Sequence, residues 1–265
     1  MKIAITGSNS LLGLYFTNYF TKKRFHILKI NKKKNFYLNK KIPFNFRRKK
    51  IDILIHLAHE YSSNSKKVNL EGTQKLFDNA LRNNIKKIIF VSSLSSHNYA
   101  KSLYGKTKFE IEKYCLTNKK IIIIRPGLVF GFSLDKKLVI FKKIVSIIPF
   151  IPYFEKKDKY IYSVSIDELS EYVYKIIKRK KNKYQTYNIF NKKKIYFIDL
   201  INLYAPDKIK LKLPFFIFYY LGLFISKFIY LKSIDSFLGL LKNRNSYKNK
   251  LEKNFFTKKN IIYKR

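Results

Sequence analysis

The chain has little with which to build cross-links or metal sites. One cysteine, Cys115, stands among 265 residues, which excludes an internal disulfide and fits a reducing compartment. Its helix-like surroundings suit packing better than nucleophilic work. The four histidines, His26, His56, His59 and His97, show no metal-ligand spacing with the cysteine or with acids, so no metal is expected. Long hydrophobic runs are missing too. The nearest, Leu213–Ser226, covers about 14 residues between Lys212 and Lys227, short of the roughly 20 that cross a bilayer. The first residues enter a strand-like run directly, without the leader of a signal peptide, so a cytoplasmic location is expected. Acids are scarce: 16 Asp and Glu face 57 Lys and Arg, a formal charge of +41. Such a balance ordinarily suggests nucleic acid or an anionic membrane. Arginine, whose planar fork reads phosphate, supplies only eight of those cations. Lys, Asn, Ile, Phe and Tyr are enriched together, as AT-rich coding produces. The charge therefore reads as a mostly solvated surface that attracts anionic ligands, with no specific nucleic-acid partner.

What is present is a globular chain, 46% hydrophobic and long enough for one sizeable domain plus a smaller lobe. Ile3-Ala4-Ile5 is a buried-strand run that stops at Thr6-Gly7, and a helical pattern opens at Leu11-Leu12-Gly13. A glycine-rich turn between strand and helix lets a pyrophosphate approach the backbone, and the helix N-terminus offers N–H groups and partial positive charge. The same turn also serves ordinary packing, so the rest of the chain has to decide. His26–Ile30 reads as a second strand. An acid about 20 residues after such a turn would grip the adenosine ribose. Asn31 stands there instead, followed by Lys32, Lys33 and Lys34. Lysines suit a 2′-phosphate, so NADP is slightly favoured over NAD; a biased surface loop is the plain alternative. Residues 32–50 are basic and without a clean apolar period, which predicts an abbreviated crossover. Ile51–Ala58 gives a third strand, with His56 a satisfied core residue. Asn69–Thr73 opens a helix running to Arg82. Lys87–Ser93 is a strand with two serines at the carboxyl edge of the sheet, where open α/β sheets bind ligands. Tyr104 and Lys108 are four apart on the next helix and share a face. A neighbouring ammonium favours the phenolate, lowering its pKa from about 10. Tyr104 is thereby a usable general acid or base.

These segments together resemble the extended short-chain dehydrogenase/reductase superfamily, NAD-dependent epimerase/dehydratase family. Gly7, Ser10 and Gly13 sit where T-G-x-x-G-x-x-G has its glycines, with Ser10 replacing the middle one. Ile51–Ala58 resembles D-x-V-I-H-L-A, Asn69–Thr73 resembles N-x-x-G-T, and Tyr104–Lys108 resembles Y-x-x-x-K. Arg125–Gly131 is similar to R-P-G-x-V-Y-G with Phe130 for Tyr, Ser163–Ser170 to V-h-V-x-D-L-A, and Tyr187-Asn188-Ile189 to Y-N-I. The motifs occur in family order over residues 1–190. The resemblance implies an α/β Rossmann-type doubly wound parallel sheet with a small C-terminal substrate lobe. It implies catalysis by Ser93, Tyr104 and Lys108, with Ser93 on the substrate oxygen and Lys108 also on the nicotinamide ribose. Gly7, Ser10, Leu11, Leu12, Gly13, Asn31, Lys32, Leu57, Ala58, Lys108 and Pro126 would bind the dinucleotide.

Residues 1–190 would then form the NAD(P)-binding domain, with a lobe insertion at about 132–162. Residues 191–241 would complete the substrate lobe and 242–265 form a basic tail. Leu138–Ile151 and Pro206–Leu241 are apolar and aromatic, and read as lobe helices; Tyr and Phe interleaved with Lys there would also suit weak association with a membrane surface. Leu94 and Ser95 stand where the family's dehydratases carry Asp-Glu, which removes the acid–base pair for eliminating water. The loop from Ser93 to Tyr104 is short for the extended branch. The function expected is an NAD(P)-dependent epimerase or reductase acting on a nucleotide sugar. A non-catalytic dinucleotide-binding protein with a structural or regulatory role is the alternative. A homodimer through the helices after Ser65 and Ala100 is an expectation of the resemblance alone.

Overall fold

The computed structural model describes residues 1–34, 36–40, 45–61, 65–100, 102–131, 150–153, 160–214, 216–217, 220 and 252–258. Its first half alternates strand and helix: β1 (Lys2–Thr6), α1 (Leu11–Lys22), β2 (His26–Ile30), β3 (Ile53–His56), α2 (Ser65–Arg82), β4 (Lys87–Val91), α3 (Leu103–Cys115) and β5 (Ile121–Pro126). Short strands follow: β6 (Leu128–Phe130), β7 (Phe150–Tyr153), β8 (Tyr160–Ile161) and β9 (Ser163–Ser165). Then come α4 (Ile166–Lys178), β10 (Thr186–Asn191), β11 (Ile195–Tyr196), α5 (Phe197–Tyr204), β12 (Ile209–Lys212) and β13 (Glu252–Thr257).

Seven strands form one sheet in the order β13-β10-β5-β4-β3-β1-β2, all pairs parallel. Helices cover both faces, so the inner strands β1, β3, β4 and β5 are largely apolar runs without alternation. Side chains still alternate between two cores. Ile3, Ile5, Ile53, Ile55, Ile122 and Ile124 pack with Phe16 and Phe20 of α1 and Val173 and Ile176 of α4. Ala4, Leu54, Ile88, Phe90, Ile121 and Ile123 pack with Leu76 and Phe77 of α2 and Ile111 and Cys115 of α3. This is the Rossmann-type doubly wound sheet, and the chain reverses direction across it at β1. Ligands of such sheets lie at that switch point, outside the carboxyl ends of the strands.

The crossover between β2 and β3 is indeed abbreviated: among its described residues only a single turn of 3₁₀-helix, Lys32–Lys34, is regular. Four expectations are corrected. α2 begins at Ser65 and not at Asn69, because Asn69 is a buried clamp inside the helix whose amide binds the Ser65 carbonyl. Ile209–Lys212, placed among lobe helices, is strand β12; it pairs in parallel with β7, which takes in Phe150 and Ile151 from the other expected helix. Glu252–Thr257, placed in a basic tail, is the seventh strand of the main sheet and pairs with β10. Phe255 stacks on Tyr172 and Tyr187 there. Residues 132–149, 154–159, 215, 218–219 and 221–241 of the expected lobe, and 242–251 and 259–265 of the expected tail, lie outside the described residues. Among the described ones no helix is long and apolar enough to cross a membrane.

Candidate active site

The glycine turn is built as its spacing predicts. Gly7 has φ +67°, and a Cβ there would lie 2.8 Å from the Ala58 nitrogen. The turn therefore packs directly on the end of β3, which brings Leu57 and Ala58 beside it. Ser10 is the N-cap of α1, its Oγ accepting the Gly13 N–H at 3.1 Å. The Leu14 N–H is bound by the Ser10 carbonyl at 2.8 Å. That leaves the N–H groups of Leu11 and Leu12 at the helix mouth with no partner inside the helix. Two first-turn amides and the helix dipole fit one phosphate group. Asn31 is buried beside the turn and donates to Ser8 Oγ at 2.8 Å and to Asn9 Oδ1 at 3.0 Å. Its own Oδ1 is buried without a hydrogen-bond partner. A cradle a Cβ would fill, two open amides and an orphaned acceptor together fit a dinucleotide.

The second half of the site is organised by α3. Ser102 caps it, its Oγ accepting the Gly105 N–H at 3.0 Å. A Cβ on Gly105 would lie 2.5 Å from the Ser95 carbonyl oxygen, so only glycine lets the first turn of α3 lie against the turn after β4. Tyr104 and Ser93 are thereby held on adjoining segments of the carboxyl edge. Ser93 Oγ lies 2.9 Å from Ser95 Oγ and accepts the Ser95 N–H at 3.2 Å. Ser92 Oγ and Ser96 Oγ are buried there without partners; Ser92 is one of the two serines expected at this edge, whereas Ser96 was not singled out. Pro126, buried in β5, accepts the Leu94 N–H at 3.1 Å and so fixes the same turn.

Lys108 is 2% exposed. Its ammonium donates to the Val91 carbonyl at 2.9 Å and lies 5.7 Å from the Tyr104 ring centre. Burial pushes it down to about 8, with Glu112 pulling upward. The expectation that Lys108 lowers the Tyr104 phenol is not met in this arrangement. Burial, then Tyr61 and Glu112, raise that phenol above its ordinary range. The physical reason is geometric: the ammonium is drawn to the β4 carbonyl, while Tyr61 stacks parallel to Tyr104 at 6.1 Å and His59 meets its edge at 4.9 Å. Glu112, one turn beyond Lys108, accepts a two-pronged ion pair from Arg125, with Nε at 3.0 Å from Oε1 and Nη2 at 2.5 Å from Oε2. The Lys108–Glu112 spacing of four was legible beforehand; the β5 partner was not. His56 is fully buried between Thr6 Oγ1 (2.7 Å) and Thr73 Oγ1 (3.1 Å), and burial holds it well below its ordinary value. It is a structural histidine, as expected.

No family model matches the chain, and no curated protein does. Solved structures do. A dTDP-4-dehydrorhamnose reductase from Clostridium acetobutylicum is similar at 20% identity and TM-score 0.63, over 80% of this chain and 84% of that one. A UDP-glucose 4-epimerase from Thermotoga maritima, solved with UDP-glucose, is similar at 15% identity and TM-score 0.64, over 81% and 86%. The chain has the fold of these nucleotide-sugar enzymes. A dTDP-4-dehydrorhamnose reductase from Bacillus anthracis, solved with NADP, is similar at 18% identity and TM-score 0.63, over 80% and 84%. The Rossmann-type architecture implied by the extended short-chain dehydrogenase/reductase resemblance is therefore the one observed.

Proposed function

We propose that the protein is an NAD(P)-dependent epimerase or reductase acting on a nucleotide sugar. The observation that carries the reading is the packing of α3: Gly105 against Ser95 sets Tyr104 beside the Ser93 turn, one strand from the β3 end that abuts the glycine turn. Similar solved structures that are reductases and 4-epimerases of nucleotide sugars support the substrate class. A bound nicotinamide would supply the hydride donor or acceptor. Gly7, Leu11 and Leu12 would hold its diphosphate, and Lys108 its ribose. Asn31 with Lys32 would face the adenosine side, where β2 itself ends without a carboxylate. Ser93 would orient the reacting oxygen. Tyr104, held protonated, starts as a proton donor, which suits reduction of a carbonyl; taking a proton from a hydroxyl needs positive charge nearer its oxygen. Leu94 and Ser95 carry no acid for dehydration.

Two observations favour the non-catalytic alternative: Lys108 is already engaged by the Val91 carbonyl, and Tyr104 is stacked against Tyr61. A single experiment separates the two readings. Nucleotide sugars are screened with both nicotinamide cofactors, and Tyr104→Phe is compared with wild type. Loss of about 10²–10⁴-fold in turnover with dinucleotide binding kept is expected. Turnover that survives Tyr104→Phe places the chemistry elsewhere, and dinucleotide binding without any turnover supports the alternative.

A further inference from the structure

Glu60 belongs to none of the motifs, yet one buried side chain holds both polar groups of its backbone. Its N–H donates to Asn69 Oδ1 at 2.8 Å and its carbonyl accepts from Asn69 Nδ2 at 2.8 Å. Asn69 is fully buried in the first turns of α2. The carboxylate is thus presented from a fixed point four residues beyond β3. One oxygen, Oε1, accepts the Tyr61 N–H at 3.0 Å; the other, Oε2, pairs with Lys32 Nζ at 3.1 Å. β2 and β3 flank β1. The Lys32–Glu60 bridge therefore runs from one side of β1 to the other, past the Gly7 turn. Asn31 leaves β2 itself without a carboxylate, and Glu60 brings one to that place from the neighbouring loop.

We propose that Glu60 is a cofactor-specificity residue: by occupying Lys32 and setting a negative charge beside it, Glu60 holds back a 2′-phosphorylated dinucleotide relative to the unphosphorylated one. This rests on the dinucleotide reading above. Lys32 is the first cation after the end of β2, and a 2′-phosphate gains it only by displacing Glu60. The pair is largely solvent-exposed on the lysine side, 67% against 35% for the glutamate. Exposed pairs are weak, so displacement is permitted and the effect is graded. Lys32 also lies 5.9 Å from the Tyr37 ring, which keeps it near this place when Glu60 is neutral.

Glu60→Gln tests this, because it keeps the Oε1 acceptor for Tyr61 and the side-chain volume while removing the charge. Dissociation constants for NADP and NAD are measured by calorimetry on the full chain at one fixed salt concentration. The NADP constant should fall about three- to fivefold while the NAD constant stays within about twofold. Lys32→Met should weaken NADP alone, and in that background Glu60→Gln should have a smaller effect. Equal changes for both nucleotides, or none, overturn the role given to Glu60 while leaving the dinucleotide site standing. A wild-type chain that binds neither nucleotide overturns both.

Discussion

Lys108 is a cation buried where few cations are tolerated, and its position has a measurable consequence for stability. Its folded value of about 8 lies below the ordinary 10.5. Between those values the unfolded chain binds the extra proton, so stability rises with pH across that window. Below about pH 8 the full penalty for burying the charge is present. Lys108→Met is therefore expected to raise the denaturant midpoint at pH 7, with an advantage that shrinks by pH 10, while dinucleotide affinity weakens at both. An advantage independent of pH would mean that the ammonium is not its source. His56 acts in a different window. Held neutral by burial, it destabilises the fold as pH drops through the unfolded value of about 6.5.

Secondary structure was legible wherever a segment meets the core through its own residues. β1, β3, β4 and β5 announce themselves as apolar runs because both faces of the sheet are covered there. The serines at positions 10, 102 and 165 cap three helices through their own side chains. Tyr104, Lys108 and the glycine turn were legible because spacing alone fixes them on one helix face or one turn. What escaped depends on partners far along the chain. β13 reads EKNFFT within a lysine- and asparagine-rich stretch, and it is a strand because β10, more than sixty residues earlier, offers it an edge. Glu60 escaped for the same reason, since Lys32 is brought to it by strand order. The β13 finding predicts the effect of shortening the chain. Ending it after residue 251 removes Phe255 from between Tyr172 and Tyr187 and takes the Asn254 and Thr257 contacts from Asn188 and Asn191. Stability should fall by about 2 kcal/mol or more, the scale of one buried aromatic side chain. Dinucleotide binding should persist in the folded fraction, because β13 is separated from β1 by four strands. A denaturation midpoint unchanged by the truncation would return these residues to the tail first expected.

At the scale of the whole molecule the excess of cations is the dominant fact, and the acids are too few to neutralise it. Asp52, Glu60, Glu71, Glu110, Glu112 and Glu171 each pair with a lysine or arginine. With 16 acids against 57 cations, most lysines have no acid to meet. Among the described residues Lys108 and Arg125 are buried, and Lys87 is half-buried against the Ile176, Ile177 and Arg179 carbonyls. A cleft at the amino-terminal edge of the sheet, lined by Lys2, Arg48, Lys49 and Lys50 against the single acid Asp52, is basic in the same diffuse way. Such a surface binds any polyanion by releasing its condensed counterions, so affinity falls steeply with salt in proportion to the phosphates contacted. A dinucleotide carries only two or three charged phosphate groups and, in the function proposed above, would be held by backbone amides at a helix mouth. The two kinds of binding should therefore separate on a salt titration. Heparin or single-stranded DNA should be retained at about 50 mM salt and largely released by about 200 mM. NADP affinity over that range should change by a much smaller factor. Anionic vesicles should behave like the polyanions if only surface lysines engage them. A nucleic-acid complex that survives physiological salt and prefers one sequence would assign the charge a specific partner, and the solvated-surface reading would fall.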